Sequence, residues 1–527
     1  MIYHCEDHTC NYWDEGEKLP ERCPQCGRKL LRANEADMTG DDWTALGNTL
    51  WDAEASDKKR MVDCFRKAAY LGSAWGVCNL GICMEQGNGV EADPVQAFWL
   101  YQQAVEMGSL NAVCCLGVCY QYGIGTAPDA KQAAELYCKA AEYGSPRGQM
   151  LLARAFHDGI GVEADAAEAV HWVRAAAYQR YGEGMYRLGV CYEYGDGVEQ
   201  NWEHAVHWFR EAAESGVGVA MTDLGYCYEK GCGVEQSWEQ AFSWYRRGAE
   251  CGYPVSMSNL GLCYKRGYGV EQNWQEAVKW YEQGAQCGNL QSMHNLACCY
   301  EHGEGVEQNM TEAIRWYTAA AEGGNADDMY ELGWQYDHGE GVEQDMKKAI
   351  CWYERAAEQN HPAAMNSLGE CYAMGRGVPR DLETAMEWYR RAAELGEAMA
   401  DYNMGWHLEQ AGKLSEAYAH YRKAADGNDD SAWWALGRFY ENGVVVAQDG
   451  KEARRCYETG EKLGSVKCKM RLARCKLLGI GGRRAKKAGL DLCRQALELA
   501  KESSEKEDYG YEAEMNLLRR TIAENES

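Results

Sequence analysis

The chain has 527 residues, 46% of them hydrophobic, and a formal net charge of −27. That length leaves room for several ordinary domains, and the acidity argues against a nucleic-acid binder overall. No run of about 18 apolar residues occurs, so no membrane-spanning helix is expected; the opening MIYHCEDHTC lacks the basic and apolar regions of a signal peptide. The 25 cysteines are therefore expected in the reducing cytoplasm as thiols, not disulfides.

The first 32 residues read as a small domain of their own. Their cysteines fall as Cys5-x4-Cys10-x12-Cys23-x2-Cys26, with Pro24 and Gly27 beside the second pair. Four thiolates in two tight turns suit one tetrahedral structural Zn²⁺, and so short a segment has too little core to fold without it. Zinc is expected in preference to iron. His4 and His8 are nearby alternatives, but four sulfurs already close the site and leave no open position for catalysis. The Cys-Pro-x-Cys-Gly turn resembles a zinc-ribbon or rubredoxin-like knuckle.

From residue 75 to 398 the chain repeats itself every 36 residues, nine times without a gap. One copy is EGMYRLGVCYEYGDGVEQNWEHAVHWFREAAESGVG, beginning at Glu183. Leu at position 6, Gly at 13 and 15 and Ala at 23 occur in all nine copies. Positions 3, 6, 7 and 10 (Met185, Leu188, Gly189, Tyr192) make one apolar helical stripe. Positions 23, 26, 27, 30 and 31 (Ala205, Trp208, Phe209, Ala212, Ala213) make a second. Gly-x-Gly-Val is expected to end the first helix. Each copy is thus an antiparallel helix pair that needs a neighbour to cover its stripes. Trp208, Trp244 and Trp280, in phase with the second stripe, are expected in the core, as are the cysteines at position 9, such as Cys227 and Cys263.

Degenerate copies flank the regular ones, at 41 to 74 before them and at 399 to 430, 431 to 466 and 467 to 502 after them. A last helix near 508 to 523, within the tail 503 to 527, is expected to cap the stack. The fold class expected is an all-α solenoid of about thirteen helix pairs spanning 41 to 502. Between Lys451 and Lys487 thirteen Lys or Arg stand against three acids, an asymmetry that would suit a head-to-tail contact or an anionic ligand.

The pattern L-G-x-x-Y-x-x-G-x-G-V followed by A-x-x-W-Y-x-x-A-A-x-x-G resembles Sel1-like repeats, relatives of tetratricopeptide repeats. Residues 399 to 430, with a loop shorter by four, resemble a tetratricopeptide unit more closely. The resemblance implies a right-handed superhelix that serves as an adaptor or scaffold for other proteins. A secreted, cysteine-rich group of the family has been linked to β-lactam binding or hydrolysis. That reading is minor here, because regular intra-unit cysteine pairs and an export signal are both missing.

No metalloprotease, nucleophile-elbow or phosphate-loop motif occurs, so no enzyme is expected. Gly-x-Gly-Val follows no strand and recurs in every copy, which makes it a turn. His294, His302 and His338 are too far apart to share one metal. A partner would meet the first helices, at positions off their packing stripe: 1, 4, 8, 11 and 12. There the candidates are Tyr186, Tyr194, Tyr226, His294, His302, Tyr330, Trp334, His338, Tyr402 and Trp406. Tyr330, Trp334 and Trp406 stand out, since Tyr and Trp often anchor interfaces. The expected partner is a protein, as a peptide or a domain with a basic patch. The alternative is a nucleic-acid-associated protein using the ribbon and the basic segment 451 to 487.

Overall fold

A computed structural model describes residues 2–5, 13–15, 30–33, 35–51, 55–506 and 511–526. They divide into two units, residues 1–273 and 274–527.

In the first unit a three-stranded antiparallel sheet comes first, with β1 (Ile2–Cys5) between β2 (Trp13–Glu15) and β3 (Leu30–Ala33). Helices α1 (Gly40–Thr49) and α2 (Ala55–Tyr70) form the opening pair. The next pairs are α3 (Ala74–Gln86) with α4 (Pro94–Glu106), and α5 (Leu110–Tyr122) with α6 (Ala130–Glu142). Then come α7 (Pro146–Asp158) with α8 (Ala166–Tyr178), and α9 (Gly182–Tyr194) with α10 (Trp202–Glu214). The unit closes with α11 (Gly218–Lys230), α12 (Trp238–Glu250) and α13 (Pro254–Arg266).

The second unit begins with α14 (Trp274–Gln286) and continues α15 (Leu290–His302), α16 (Met310–Glu322), α17 (Ala326–His338) and α18 (Met346–Glu358). Next are α19 (Pro362–Met374), α20 (Leu382–Glu394), α21 (Ala398–Gln410) and α22 (Leu414–Asp426). The last are α23 (Asp430–Asn442), α24 (Gly450–Lys462), α25 (Val466–Leu478), α26 (Lys486–Lys506) and α27 (Glu512–Glu526). Helices α1 to α12 make six pairs in the first unit and α15 to α26 make six in the second, followed by α27. Apart from the three short strands the described chain is a helical solenoid, as the periodicity requires. No helix of the described residues is long and apolar enough to cross a membrane.

The fixed residues of the repeat act at its joints. Gly195 takes φ of +75° and ends α9, and its partner Gly197 takes +67°. A β-carbon on Gly197 would also stand 2.2 Å from the Ala166 carbonyl oxygen, so the second glycine is required twice over. The second helix then starts with a side-chain cap: Asn201 Oδ1 accepts from the His204 amide at 3.0 Å. Between them Gln200 Nε2 donates to the Glu193 carbonyl at 2.8 Å. Gln236, Gln272 and Gln308 do the same to residues 229, 265 and 301, each at 2.8 Å. The recurrent Val-Glu-Gln is thus a loop clamp, satisfying a carbonyl that the helix end leaves open.

The cores differ from the sequence expectation in one respect. Trp244 is buried, but Trp208 and Trp280 are only half-buried. The ring that fills the space between paired helices is the next residue, position 27. Phe209, Tyr245, Tyr281 and Tyr317 are all at most 2% exposed. Phe209 and Tyr245 lie against the glycine at position 7: a β-carbon on Gly189 would stand 2.6 Å from Phe209, and one on Gly225 2.6 Å from Tyr245. Position 26 looks along the outer surface instead, where Arg247 covers Trp244 at 4.2 Å and Arg355 covers Trp352 at 4.2 Å. Of the position-9 cysteines, Cys83, Cys119, Cys227, Cys263, Cys299 and Cys371 are buried, and Cys191 is partly so.

Candidate partner-binding groove

In the second unit the first helices α17, α19 and α21 lie side by side and enclose a groove of about 680 Å³. The repeat puts positions 4 and 8 of each helix on this face. Tyr330 and Trp334 therefore come from α17, Asn366 and Glu370 from α19, and Tyr402 and Trp406 from α21. Five of the ten candidate wall residues meet here: Tyr330, Trp334, His338, Tyr402 and Trp406.

The aromatic side chains are set in place by neighbours. Tyr330 stacks on His361 with centroids 5.0 Å apart, and Trp334 stacks on His338 at 4.4 Å. Tyr402 leans on Tyr421 at 5.6 Å, and Trp406 meets His407 edge-on at 4.7 Å. Trp406 remains 38% exposed. Burial pushes the Tyr402 hydroxyl up to about 12, so it stays a neutral donor. Burial, with the charge of Arg380, lowers His407, which keeps it uncharged at neutral pH.

The floor is polar. Asn403 Nδ2 donates to Asn366 Oδ1 at 3.0 Å and to Glu370 Oε1 at 3.2 Å, and Asn366 Nδ2 donates to the same carboxylate at 3.2 Å. Arg376 Nη1 donates to the buried Asp337 at 2.9 Å, and its other nitrogen stands 3.9 Å from Glu370. Asp337, Glu370 and Glu397 thus outnumber the one lining arginine. An acidic floor between aromatic walls favours a segment that brings basic and apolar side chains.

The remaining wall candidates lie elsewhere. Tyr186 is half-buried and bonds Asp223, and burial raises its hydroxyl well above the ordinary tyrosine value. Tyr194 and Tyr226 are exposed, at 72% and 44%, with Lys230 Nζ 5.7 Å from the Tyr226 ring. His294 is taken up internally. Its Nδ1 lies 2.8 Å from Asp328, a carboxylate with no exposed surface, and its Nε2 3.6 Å from the Cys298 thiol. The hydrogen bond to Asp328 raises His294 to about 10, so it is an imidazolium that joins α15 to α17. His302 is exposed and bonds its own helix at the Cys298 carbonyl, 3.0 Å away.

Sequence reasoning missed Asn403 and Arg376. Asn403 stands at position 5, outside the positions used to trace the wall, and Arg376 sits inside the Gly-x-Gly turn. In the first unit a second hollow of about 600 Å³ lies between α7 and α9. Its charges are largely settled among themselves: His157 bonds Asp158 at 2.6 Å and Asp196 at 3.2 Å. Of the four expected zinc ligands, Cys10, Cys23 and Cys26 lie outside the described residues; Cys5 ends β1, and its side chain is also outside them. Among the described residues, no group of three His, Cys, Asp or Glu is placed to hold a metal ion.

Comparison with known proteins follows the same units. A Sel1 repeat model matches residues 76–109, 112–145, 146–181, 182–217, 218–253, 254–289, 290–325, 326–361, 362–397, 398–429 and 432–465. The crystal structure of c5321, a protective antigen of uropathogenic Escherichia coli displaying an SLR fold, is 29% identical, with a TM-score of 0.61. That match covers 81% of this chain and 94% of the antigen. A Sel1 repeat protein from Oxalobacter formigenes is 31% identical over 46% of this chain and 96% of its own, with a TM-score of 0.42. Among curated proteins no match is found.

Proposed function

The chain belongs to the Sel1 repeat family, and on that premise we propose that it is a non-catalytic scaffold whose groove across α17, α19 and α21 holds a protein partner. The partner enters as an extended segment. Its backbone meets the carboxamides of Asn366 and Asn403, and its basic or apolar side chains lie between Tyr330 and Trp334 on one side and Tyr402 and Trp406 on the other. The observation that carries this reading is the convergence of four aromatic side chains from two helices on one polar, acidic floor. Large, rigid side chains lose little entropy on binding and offer much area, while the carboxamide floor accepts any backbone.

The amino-terminal segment is a structural zinc ribbon in this proposal, with Cys5, Cys10, Cys23 and Cys26 as ligands. The pairing of β1 with both β2 and β3 supports it, since such a sheet is a frame on which two cysteine turns can face each other. The chain works in the cytoplasm, where the small buried thiols of the repeat stay reduced.

The test is affinity capture from the native host, comparing wild type with the Tyr330→Ser, Trp334→Ser, Trp406→Ser triple variant at matched helicity. Loss of a partner from the triple variant alone supports the groove. A partner set unchanged in that variant removes it.

A further inference from the structure

The basic segment that the sequence leaves unexplained meets its anion within the chain. α27 packs on α25 and α26 and reaches Trp434 of α23. Glu514 receives both ends of one guanidinium, from Arg471 Nε at 2.6 Å and Nη2 at 2.7 Å, and Trp434 Nε1 from α23 at 3.2 Å. Arg471 also reaches Glu441 at 3.2 Å, and Arg474 bonds the same carboxylate. Lys467 stands between the rings of Trp434 and Tyr511, at 5.3 and 5.7 Å. Beside these polar contacts Met515 and Leu518 join a buried cluster with Met470, Ala473 and Leu477 of α25 and Cys493, Ala496 and Ala500 of α26.

The way α27 is held differs from the way the repeats hold one another. The buried side chains of α18 are Ala349, Ile350, Tyr353, Ala356 and Ala357, all but the tyrosine hydroxyl apolar. Those of α27 are Glu514, Met515, Leu518, Thr521 and Asn525, three of five polar. Such a seam contributes less from burial and leans on polar contacts, the bidentate Arg471–Glu514 pair and the Arg484 Nη2 donation to Asn525 at 2.7 Å; an equivalent carboxylate on another helix would satisfy the Arg471 guanidinium as well. The face beneath is also left with unused donor capacity: the buried Arg474 Nε has no acceptor among the described residues.

We infer that the first-helix face of α23 and α25 is a docking site for an acidic amphipathic helix of a partner protein, and that α27 occupies it in the free chain. The incoming helix places a carboxylate on Arg471 and Trp434, and two apolar side chains one turn apart on Met470 and Leu477. It displaces α27, which carries the same elements. The site is separate from the α17–α21 groove and opposite to it in charge preference.

The test uses the full chain and a fluorescent peptide of residues 511–526. Wild type is expected to bind the peptide poorly, because its own helix is in place. The Glu514→Ala, Leu518→Ala variant is expected to bind about ten times more tightly or better, and adding Arg471→Ala should abolish the gain. No gain in the double variant, or a gain that survives Arg471→Ala, overturns the proposal. Hydrogen exchange on wild type reads the same point without any variant: α27 amides should exchange about ten times faster than those of α23 and α25. Exchange as slow as that of α25 would mean that α27 opens only when the repeats beneath it do, and would equally overturn it.

Discussion

Asn403 on α21 reaches back to Asn366 on α19, its Nδ2 standing 3.0 Å from the neighbouring carboxamide oxygen. Two amides at successive first helices, tied to each other and to Glu370, form a polar rail along the groove floor. Replacing Asn403 by alanine should leave the thermal midpoint within a few degrees of wild type, since that residue is only partly buried. Partner affinity should fall about tenfold or more, the loss of one or two backbone hydrogen bonds. Calorimetric titration with the captured partner checks it.

The packing predicts where the fold is most sensitive. Tyr389 is 1% exposed, and a β-carbon on Gly369 would stand 2.5 Å from its ring. Tyr389→Ala should cost about 3–5 kcal/mol by leaving a cavity, and Gly369→Ala about 1–3 kcal/mol by overpacking the same space. Trp280→Ala should cost less than Tyr281→Ala. Urea denaturation of the four variants decides the order.

How far this was legible in the sequence depends on whether one unit or several must be known. The period, the pairing of helices and the loop glycines are local, so they show in a single chain. Phe209 and Trp208 are adjacent on one stripe, and only the empty space over Gly189 of the facing helix decides which is buried. His294 reads as an open wall residue until Asp328, 34 positions on, is seen to lie 2.8 Å away. The groove needs three successive first helices side by side, which no single repeat reports.

The His294–Asp328 pair gives a pH dependence. The folded-state value of His294 is raised to about 10, against an ordinary histidine value of about 6.5. The folded chain therefore binds the proton more tightly than the unfolded chain. The resulting stability is complete below pH 6.5 and declines as pH rises toward 10. The urea midpoint of wild type should drop across that interval more than that of His294→Gln, measured in parallel.

The ribbon proposal predicts one zinc ion per chain by metal analysis. Cys23→Ser with Cys26→Ser should remove it, and helicity from residue 75 onward should be unchanged, because the described sheet packs on α1 while the regular repeats pack on one another. Full zinc content in that variant would rule out these ligands.

The central claim is that a partner lies in the α17–α21 groove, and site-specific photocrosslinking tests it most directly. Met374 lines the groove and is 60% exposed; Glu354 is exposed on α18. With a photoreactive phenylalanine analogue at each position in turn, in the native host, Met374 should yield a discrete crosslinked protein and Glu354 none. A partner trapped from Glu354 and not from Met374 would put the binding face on the second helices and contradict the account.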